Sequence, residues 1–386
     1  MRRQIAPLSA VLAAAIVPFT VTTGTALAAG SPTTSSTAAT TAATAPSATP
    51  TSSTAAAPGA TTTTAAPGTA TAAAKTPPAK PKAGAPPKAP TPTTGAKGTA
   101  RLFIPDAFVV NHDAVTVPGR TLHVEGLVRP YVAGQSVEVK SSLDGKVFKT
   151  DVLRIKPSAK GTYGEFTEKV TSTKPGLVRV QVTHLATAQM AGFQVRRAIA
   201  ALNPTGPGSR GKFVDLIQQR LVALHFYLPL SGVYDLQTNL AVDAYHRLLG
   251  RGTSQTLDPA TLTDLLDGKG AFAVRDPRDG KHVEGDLGDQ LLALINGSKV
   301  YRIYPISSGK PSTPTVLGRF QVYMRTPGYL PDGMYFSDFF YRGYAIHGYD
   351  PAPDYPASHG CMRLPISDAL SVWNWLNYGV TVDVYQ

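Results

Sequence analysis

The chain contains one cysteine, Cys361, in 386 residues. With no second sulfur, an intrachain disulfide is excluded. The absence of any cysteine near the N-terminus also excludes a lipid anchor attached there. No acidic residue occurs in the first 100 positions, which hold seven basic ones: Arg2, Arg3, Lys75, Lys80, Lys82, Lys88 and Lys97. Of the net charge of +12, only +5 is therefore left for the other 286 residues. From about Gly30 to Ala100 there is no aromatic and no branched aliphatic residue, so that stretch cannot bury enough apolar area to offset its ordering entropy. No basic stripe interleaved with aromatics and no nucleic-acid motif occurs, and no nucleic-acid partner is expected.

What is present reads as several modules. Arg2 and Arg3 precede a mostly apolar stretch, Ala6 to Val21, and the small-residue site Ala26-Leu27-Ala28. This pattern predicts a signal peptide over 1–28 and an exported, extracytoplasmic protein. The apolar stretch is broken by Ser9, Pro18 and Thr20 and is short for a membrane span. A membrane contact is expected only if that signal stays uncleaved. Residues 29–100, rich in Thr, Ala, Pro and Lys, read as a solvated linker whose basic charge favours an anionic envelope surface.

From Arg101 the pattern turns to β. Leu102-Phe103-Ile104, Thr121 to Val124, Ser136 to Val139 and Leu177 to Val182 are short runs, several of them alternating. They are separated by Pro118-Gly119, Asp144-Gly145, Lys160-Gly161 and Pro175-Gly176. Six or seven such strands over 101–197 predict a small immunoglobulin-like β-sandwich. After Asn203 to Gly208 the period becomes helical, with Val214, Ile217, Leu221 and Leu224 on one face. A second helix is predicted through Thr238, Ala241, Val242 and Tyr245. A third begins at Asp258-Pro259, an N-cap followed by a first-turn proline. The pieces Val214 to Leu221, Ser231 to Asp235 and Thr238 to Val242 make 208–270 resemble the small three-helix peptidoglycan-binding domain. His225 and His246 lie in this stretch without evident ligand partners, and no metal is expected.

Residues 281–386 predict a mostly-β domain. Leu291 to Ile295 is an apolar run, Asn296-Gly297 a hairpin turn, and Val300 to Ile306 the return strand. Gly318 to Met324 reads as one strand, and Gly343 to His347 as another. Ser367 to Tyr378 reads as a helix that Gly379 can end, and Val380 to Val384 as a last strand. The lone thiol lies in Ser358-His359-Gly360-Cys361-Met362-Arg363, fourteen positions after His347 in the sequence. A small buried hydrophobe is the competing reading of Cys361, but it leaves the clustered polar neighbours unexplained. A thiol beside imidazoles is suited to nucleophilic catalysis.

The pair His347-Gly348 followed by Ser358-His359-Gly360-Cys361-Met362-Arg363 resembles the catalytic motif of YkuD-type L,D-transpeptidases. The pieces Asp286 to Gln290, Pro305 to Lys310 and Pro314 to Phe320 support the likeness. The resemblance implies acyl transfer on peptidoglycan stem peptides and glycan, with no cofactor, in a cell wall-associated enzyme. It implies Cys361 as nucleophile, His347 as base, and the Gly348 carbonyl as the group that orients the imidazole. The backbone N–H groups of Gly360 and Cys361 become the expected oxyanion donors, and Ser358 and His359 the residues that shape the thiolate pocket. Two readings of Arg363 stand open: it holds a substrate carboxylate, or it braces the loop. The spacer from Tyr349 to Ala357 is short and contains three prolines, so the geometry between His347 and Cys361 is the feature a structure must supply.

Overall fold

The computed structural model describes residues 95–386. The expected signal peptide and the linker up to residue 94 lie outside the described residues. Ten strands come first: β1 (Thr99–Phe103), β2 (Phe108–Val110), β3 (Asp113–Thr116), β4 (Thr121–Arg129), β5 (Ser136–Leu143), β6 (Lys146–Arg154), β7 (Lys156–Pro157), β8 (Gly164–Thr171), β9 (Gly176–His184) and β10 (Phe193–Ala201). They form two sheets, in the orders β1-β4-β8-β7 and β2-β3-β10-β9-β5-β6. Inward residues alternate with outward ones along β4, where Leu122, Val124 and Val128 are buried against Phe166, Val178, Val180 and Val182. The strand count exceeds the expected six or seven because short pieces such as β2 and β7 carry too few residues to show a period. The linker also ends earlier than expected: Thr99 and Ala100 already pair with Arg129 and Val128. At the other end, β10 runs to Ala201, beyond the expected boundary at 197.

Three helices follow: α1 (Lys212–Ala223), α2 (Leu236–Leu248) and α3 (Pro259–Leu266). Asp258 caps α3 through its carboxylate, which accepts the N–H groups of Ala260 and Thr261 at 2.9 and 3.1 Å. Replacing Asp258 by alanine leaves those donors to water. It is expected to cost about 1 kcal/mol in urea denaturation.

The last part contains β11 (Lys281–Asp286), β12 (Leu291–Asn296), β13 (Lys299–Pro305), β14 (Gly318–Gln321), β15 (Met324–Tyr329), β16 (Tyr335–Tyr341), β17 (Tyr344–Gly348), β18 (Met362–Leu364), α4 (Ile366–Trp375) and β19 (Thr381–Tyr385). One sheet has the order β13-β12-β11-β19-β14 and the other β15-β16-β17-β18. The predicted β12–β13 hairpin is present, with Asn296 opposite Lys299, so the two loop residues are Gly297 and Ser298. Three expectations need correction. The single strand predicted over Gly318 to Met324 is two strands in different sheets, because the chain leaves one sheet at Gln321 and enters the other at Met324. Gly379 does not end the last helix: α4 stops at Trp375, Leu376 is already extended, and Gly379 serves the turn into β19 with φ +78°. The short strand β18 lies within the motif itself and was not predicted.

β12 joins the helices to the C-terminal sheets. Its residues Leu291, Ala293 and Ile295 pack among Val214, Leu221, Tyr245 and Leu265, while Leu292 and Leu294 pack on the other face with Val283, Ile346 and Val382. Burial on both faces is why five consecutive residues are apolar rather than alternating. Val110, Val115 and Val117 of the first sheets join the helical core from the opposite side. The segment after α1 also extends the edge strand β13: the Tyr227 N–H donates to the Ile303 carbonyl at 3.0 Å, and the Ile303 N–H to the His225 carbonyl at 2.8 Å. The helices are thus a packed hub between their neighbours. Among the described residues, no helix is long and apolar enough to cross a membrane.

Candidate active site

The two strands that carry the motif are parallel neighbours. Ile346 pairs with Met362, His347 with Arg363 and Gly348 with Leu364. Paired residues in a parallel ladder point to the same face, and successive ones alternate. Ile346, Met362 and Leu364 enter the buried core. His347 and Arg363 therefore take the other face, and continuing the register by two residues puts Cys361 there beside Ala345. There Cys361 packs against Met334, Phe339 and Ala345. The prolines of the spacer lie in the crossover that returns the chain from the end of β17 to the start of β18.

His347 is buried, and its Nδ1 lies 2.9 Å from the Gly348 carbonyl. A carbonyl only accepts, so Nδ1 carries the proton and Nε2 is the basic nitrogen. Burial lowers the imidazole pKa to about 4, the Gly348 carbonyl opposes this, and Arg363 adds to the lowering. Burial also pushes the Cys361 thiol up, while a hydrogen bond from the Ala345 backbone and the charge of Arg363 act against that. The Cys361 thiol points toward the Gly343 carbonyl at 3.7 Å. Both directions favour a neutral thiol and a neutral imidazole at rest.

The loop before the thiol is built by Ser358. Its hydroxyl donates to the Cys361 carbonyl at 2.6 Å and accepts the Gly360 N–H at 3.0 Å. The two expected oxyanion donors differ in their surroundings. The Gly360 N–H is engaged by the Ser358 hydroxyl, whereas the Cys361 N–H has no protein acceptor among the described residues. Ser358 is buried and acts on the loop backbone rather than lining a pocket. His359 is exposed, with Nε2 3.3 Å from Lys310 Nζ.

Gly360 has φ +118°, and a Cβ added there would stand 2.1 Å from Cε1 of the Tyr344 ring. The ring lies over the glycine, so position 360 has no room for a side chain. Gly360→Ala is expected to lose about 1–3 kcal/mol of stability and to slow acylation of Cys361, read by thermal melting and by stopped-flow labelling.

Arg363 stacks its guanidinium 4.0 Å above the Tyr349 ring and forms no salt bridge among the described residues. Its charge thus has no internal partner, which favours the carboxylate-holding reading over the brace. Its backbone does brace the loop, exchanging hydrogen bonds with Ser307 at 2.9 and 3.0 Å.

Sequence reasoning missed four contributors: Tyr344, Tyr349, Gln290 and Arg247. Gln290 sits in the recognised stretch Asp286 to Gln290, at φ +52°. Its side chain receives the Ser308 N–H at 2.8 Å and donates to the Ser308 hydroxyl at 2.8 Å. The Ser308 carbonyl in turn accepts the N–H groups of Ala357 and Ser358 at 2.9 Å. Behind Gln290, the buried Arg247 of α2 donates to the carbonyls of Asp289 and Gln290 at 2.8 Å and pairs with Asp243. An unbroken chain of hydrogen bonds therefore runs from α2 to the loop that carries the thiol.

As for metals, His246 Nε2 is hydrogen-bonded to the Thr256 carbonyl at 2.9 Å, and His225 is exposed at the end of α1. The carboxylates of Asp276, Asp279 and Asp383 approach within 4.8 Å of one another, but Arg319 pairs with Asp279 and Asp383 and supplies a cation.

The fold and site define a mostly-β domain that presents a thiol and a buried imidazole from adjacent parallel strands. Residues 280–384 match the family model of YkuD, the L,D-transpeptidase catalytic domain. The match spans the strands that carry His347 and the loop that carries Cys361. The YkuD protein of Bacillus subtilis (strain 168), assigned as an L,D-transpeptidase, is 32% identical over 107 residues, or 27% of this chain. The chain spans 65% of the length of that curated relative. Among solved structures, the L,D-transpeptidase of Xylanimonas cellulosilytica DSM 15894 is 32% identical, covering 48% of this chain and 98% of that one, with a TM-score of 0.45. The catalytic domain of the Enterococcus faecium L,D-transpeptidase is 27% identical, covering 28% of this chain and 98% of that one, with a TM-score of 0.25.

Proposed function

We propose that this chain is an exported, wall-associated enzyme that crosslinks peptidoglycan through a thioester on Cys361. The observation that carries the reading is the placement of Cys361 and His347 on one face of neighbouring strands, with Nδ1 of His347 committed to the Gly348 carbonyl and Nε2 left to accept a proton. In the first half-reaction, the Cys361 sulfur attacks the carbonyl of the third residue of a tetrapeptide stem while His347 Nε2 takes the thiol proton. The Cys361 N–H is placed to donate to the oxygen that becomes negative. The tetrahedral intermediate collapses to the thioester, and the C–N bond to the terminal D-alanine breaks. The His347 proton passes to the leaving amine. In the second half-reaction, an amine of a neighbouring stem attacks the thioester and gives its proton to Nε2. The thiol is then regenerated, and the new bond is a 3→3 crosslink.

Arg363 would hold a carboxylate of the donor stem, at the edge of the site. The helices α1–α3 serve as a peptidoglycan-binding domain and the preceding sheets as an immunoglobulin-like spacer. The packed hub formed by the helices favours a fixed presentation of the wall to the catalytic loop over a loose tether. Incubating the purified enzyme with a disaccharide-tetrapeptide, with mass spectrometry of the products, tests the reading. Dimers that have lost one alanine are expected. Release of alanine with no dimer, even when an acceptor amine is added, would instead indicate a carboxypeptidase that resolves the same thioester with water. No product of either kind would remove the proposal.

A further inference from the structure

A cleft of about 390 Å³ lies where the segment after α1 meets the C-terminal sheets. Its walls are Tyr227 from that segment, Tyr301 and Arg302 from β13, and Ser371, Asn374 and Trp375 from α4. The rings of Tyr301 and Trp375 lie nearly parallel, at an interplanar angle of 21° and a centroid distance of 6.3 Å. Tyr301 is 48% exposed. The Arg302 guanidinium stands 4.9 Å from the centre of the Tyr227 ring and 5.0 Å from that of Tyr301. One of its N–H groups donates to the Ser371 hydroxyl at 2.5 Å. Lys281 Nζ lies 4.5 Å from the centre of the Trp375 ring. Neither Arg302 nor Lys281 forms a salt bridge among the described residues.

Each part of this arrangement narrows the ligand. Exposed flat rings favour a flat, partly apolar surface, and the axial C–H face of a pyranose is one. Hydroxyls around a sugar ring need donors and acceptors at the rim, which the exposed Asn374 offers. Two cations without internal partners favour a negative group, and a planar guanidinium suits a carboxylate. We propose that this cleft binds an acidic sugar of a glycan strand, its ring face on Tyr301 and Trp375 and its carboxylate at Arg302 and Lys281. The site is separate from the thiol: none of its eight wall residues, which also include Ser367 and Leu370, belongs to β17, β18 or the loop before Cys361. The lactyl carboxyl is free only where a sugar carries no stem, so the cleft would hold the enzyme on stem-free stretches of glycan beside the stems it processes.

The choice of wall glycan as the probe rests on the function proposed above, so the test keeps the two apart. Binding is measured by calorimetry with a peptide-free tetrasaccharide of alternating N-acetylglucosamine and N-acetylmuramic acid, whose lactyl groups are free carboxylates. A neutral N-acetylglucosamine tetramer is the comparison. The wild type is expected to prefer the acidic tetrasaccharide at least tenfold. Tyr301→Phe is expected to keep that affinity and Tyr301→Ala to lose it by at least tenfold. Arg302→Gln should erase the preference for acid. Asn374→Ala, at an exposed helix position, provides a variant with little risk to folding and should weaken binding several-fold. Labelling of Cys361 by a thiol reagent, read in parallel, is expected to be unchanged in the Tyr301 and Asn374 variants. No binding by the wild type, or full binding by both Tyr301→Ala and Asn374→Ala, overturns the cleft while leaving the chemistry at Cys361 to its own test.

Discussion

Cys361→Ala is expected to abolish crosslinking, with at least about a 10⁴-fold loss of rate, while the melting temperature stays near that of the wild type. The size of the loss follows from the absence of any substitute. There is no second cysteine in the chain, and the nearest hydroxyl on the loop, that of Ser358, is occupied by the Cys361 carbonyl and the Gly360 N–H. Cys361 contributes little to the core: it stands at the edge of a small cluster with Met334, Phe339 and Ala345, and removing its sulfur opens only a small space there. Product formation and thermal melting together check the expectation. A variant that lost stability and activity in parallel would point to a packing role instead.

The second large effect is at His347. His347→Gln is expected to lower the acylation rate by about 10²- to 10⁴-fold, the usual range for removing a general base. Its pH dependence is more diagnostic than its size. The active form is the neutral imidazole, so the rate rises as pH rises through the folded pKa. Burial places that value at about 4, well below the ordinary 6.5 of histidine. The wild-type rate is therefore expected to fall only near pH 4, with no inflection near 6.5, and the glutamine variant should lack the acid limb altogether. Stability obeys the same sign. Between pH 6.5 and 4 the unfolded chain binds a proton at this residue that the folded one does not. The buried neutral histidine therefore destabilises the fold as pH falls through that window, and has no such effect above it. A pH–rate profile with its acid limb at 6 to 7 would show an exposed imidazole and contradict the burial of His347.

Much of this site was legible from residue order. The short motif and the upstream His-Gly pair singled out Cys361, His347 and the Gly348 carbonyl that meets His347 Nδ1, and in the last two the contact is between adjacent residues. The run Leu291 to Ile295 carried its meaning too, once a strand buried on both faces is allowed. What sequence order could not supply was everything fixed by contact across the chain. The parallel register that puts His347 opposite Arg363 is set by the crossover, and no local pattern encodes it. The overlap of Tyr344 with Gly360 joins positions sixteen apart through a ring packed on a backbone. Gln290 looked like one polar residue among several, yet it fixes Ser308 and through it the thiol loop. The contact of the Gly360 N–H with the Ser358 hydroxyl was hidden for a similar reason: the acceptor is only two residues away, but the turn that brings it there has to be seen. His359 was given a place in the pocket by its position in the motif, whereas its side chain points to Lys310 and solvent.

The central claim is that Cys361 carries the acyl group, and intact-mass spectrometry of the enzyme during reaction with a disaccharide-tetrapeptide tests it most directly. The account predicts a transient adduct on the wild type with the mass of the donor less one alanine, mapped by peptide digestion to Cys361 and absent from Cys361→Ala. A wild-type enzyme that forms product with no adduct under rapid quenching, or an equal adduct on Cys361→Ala, would contradict it.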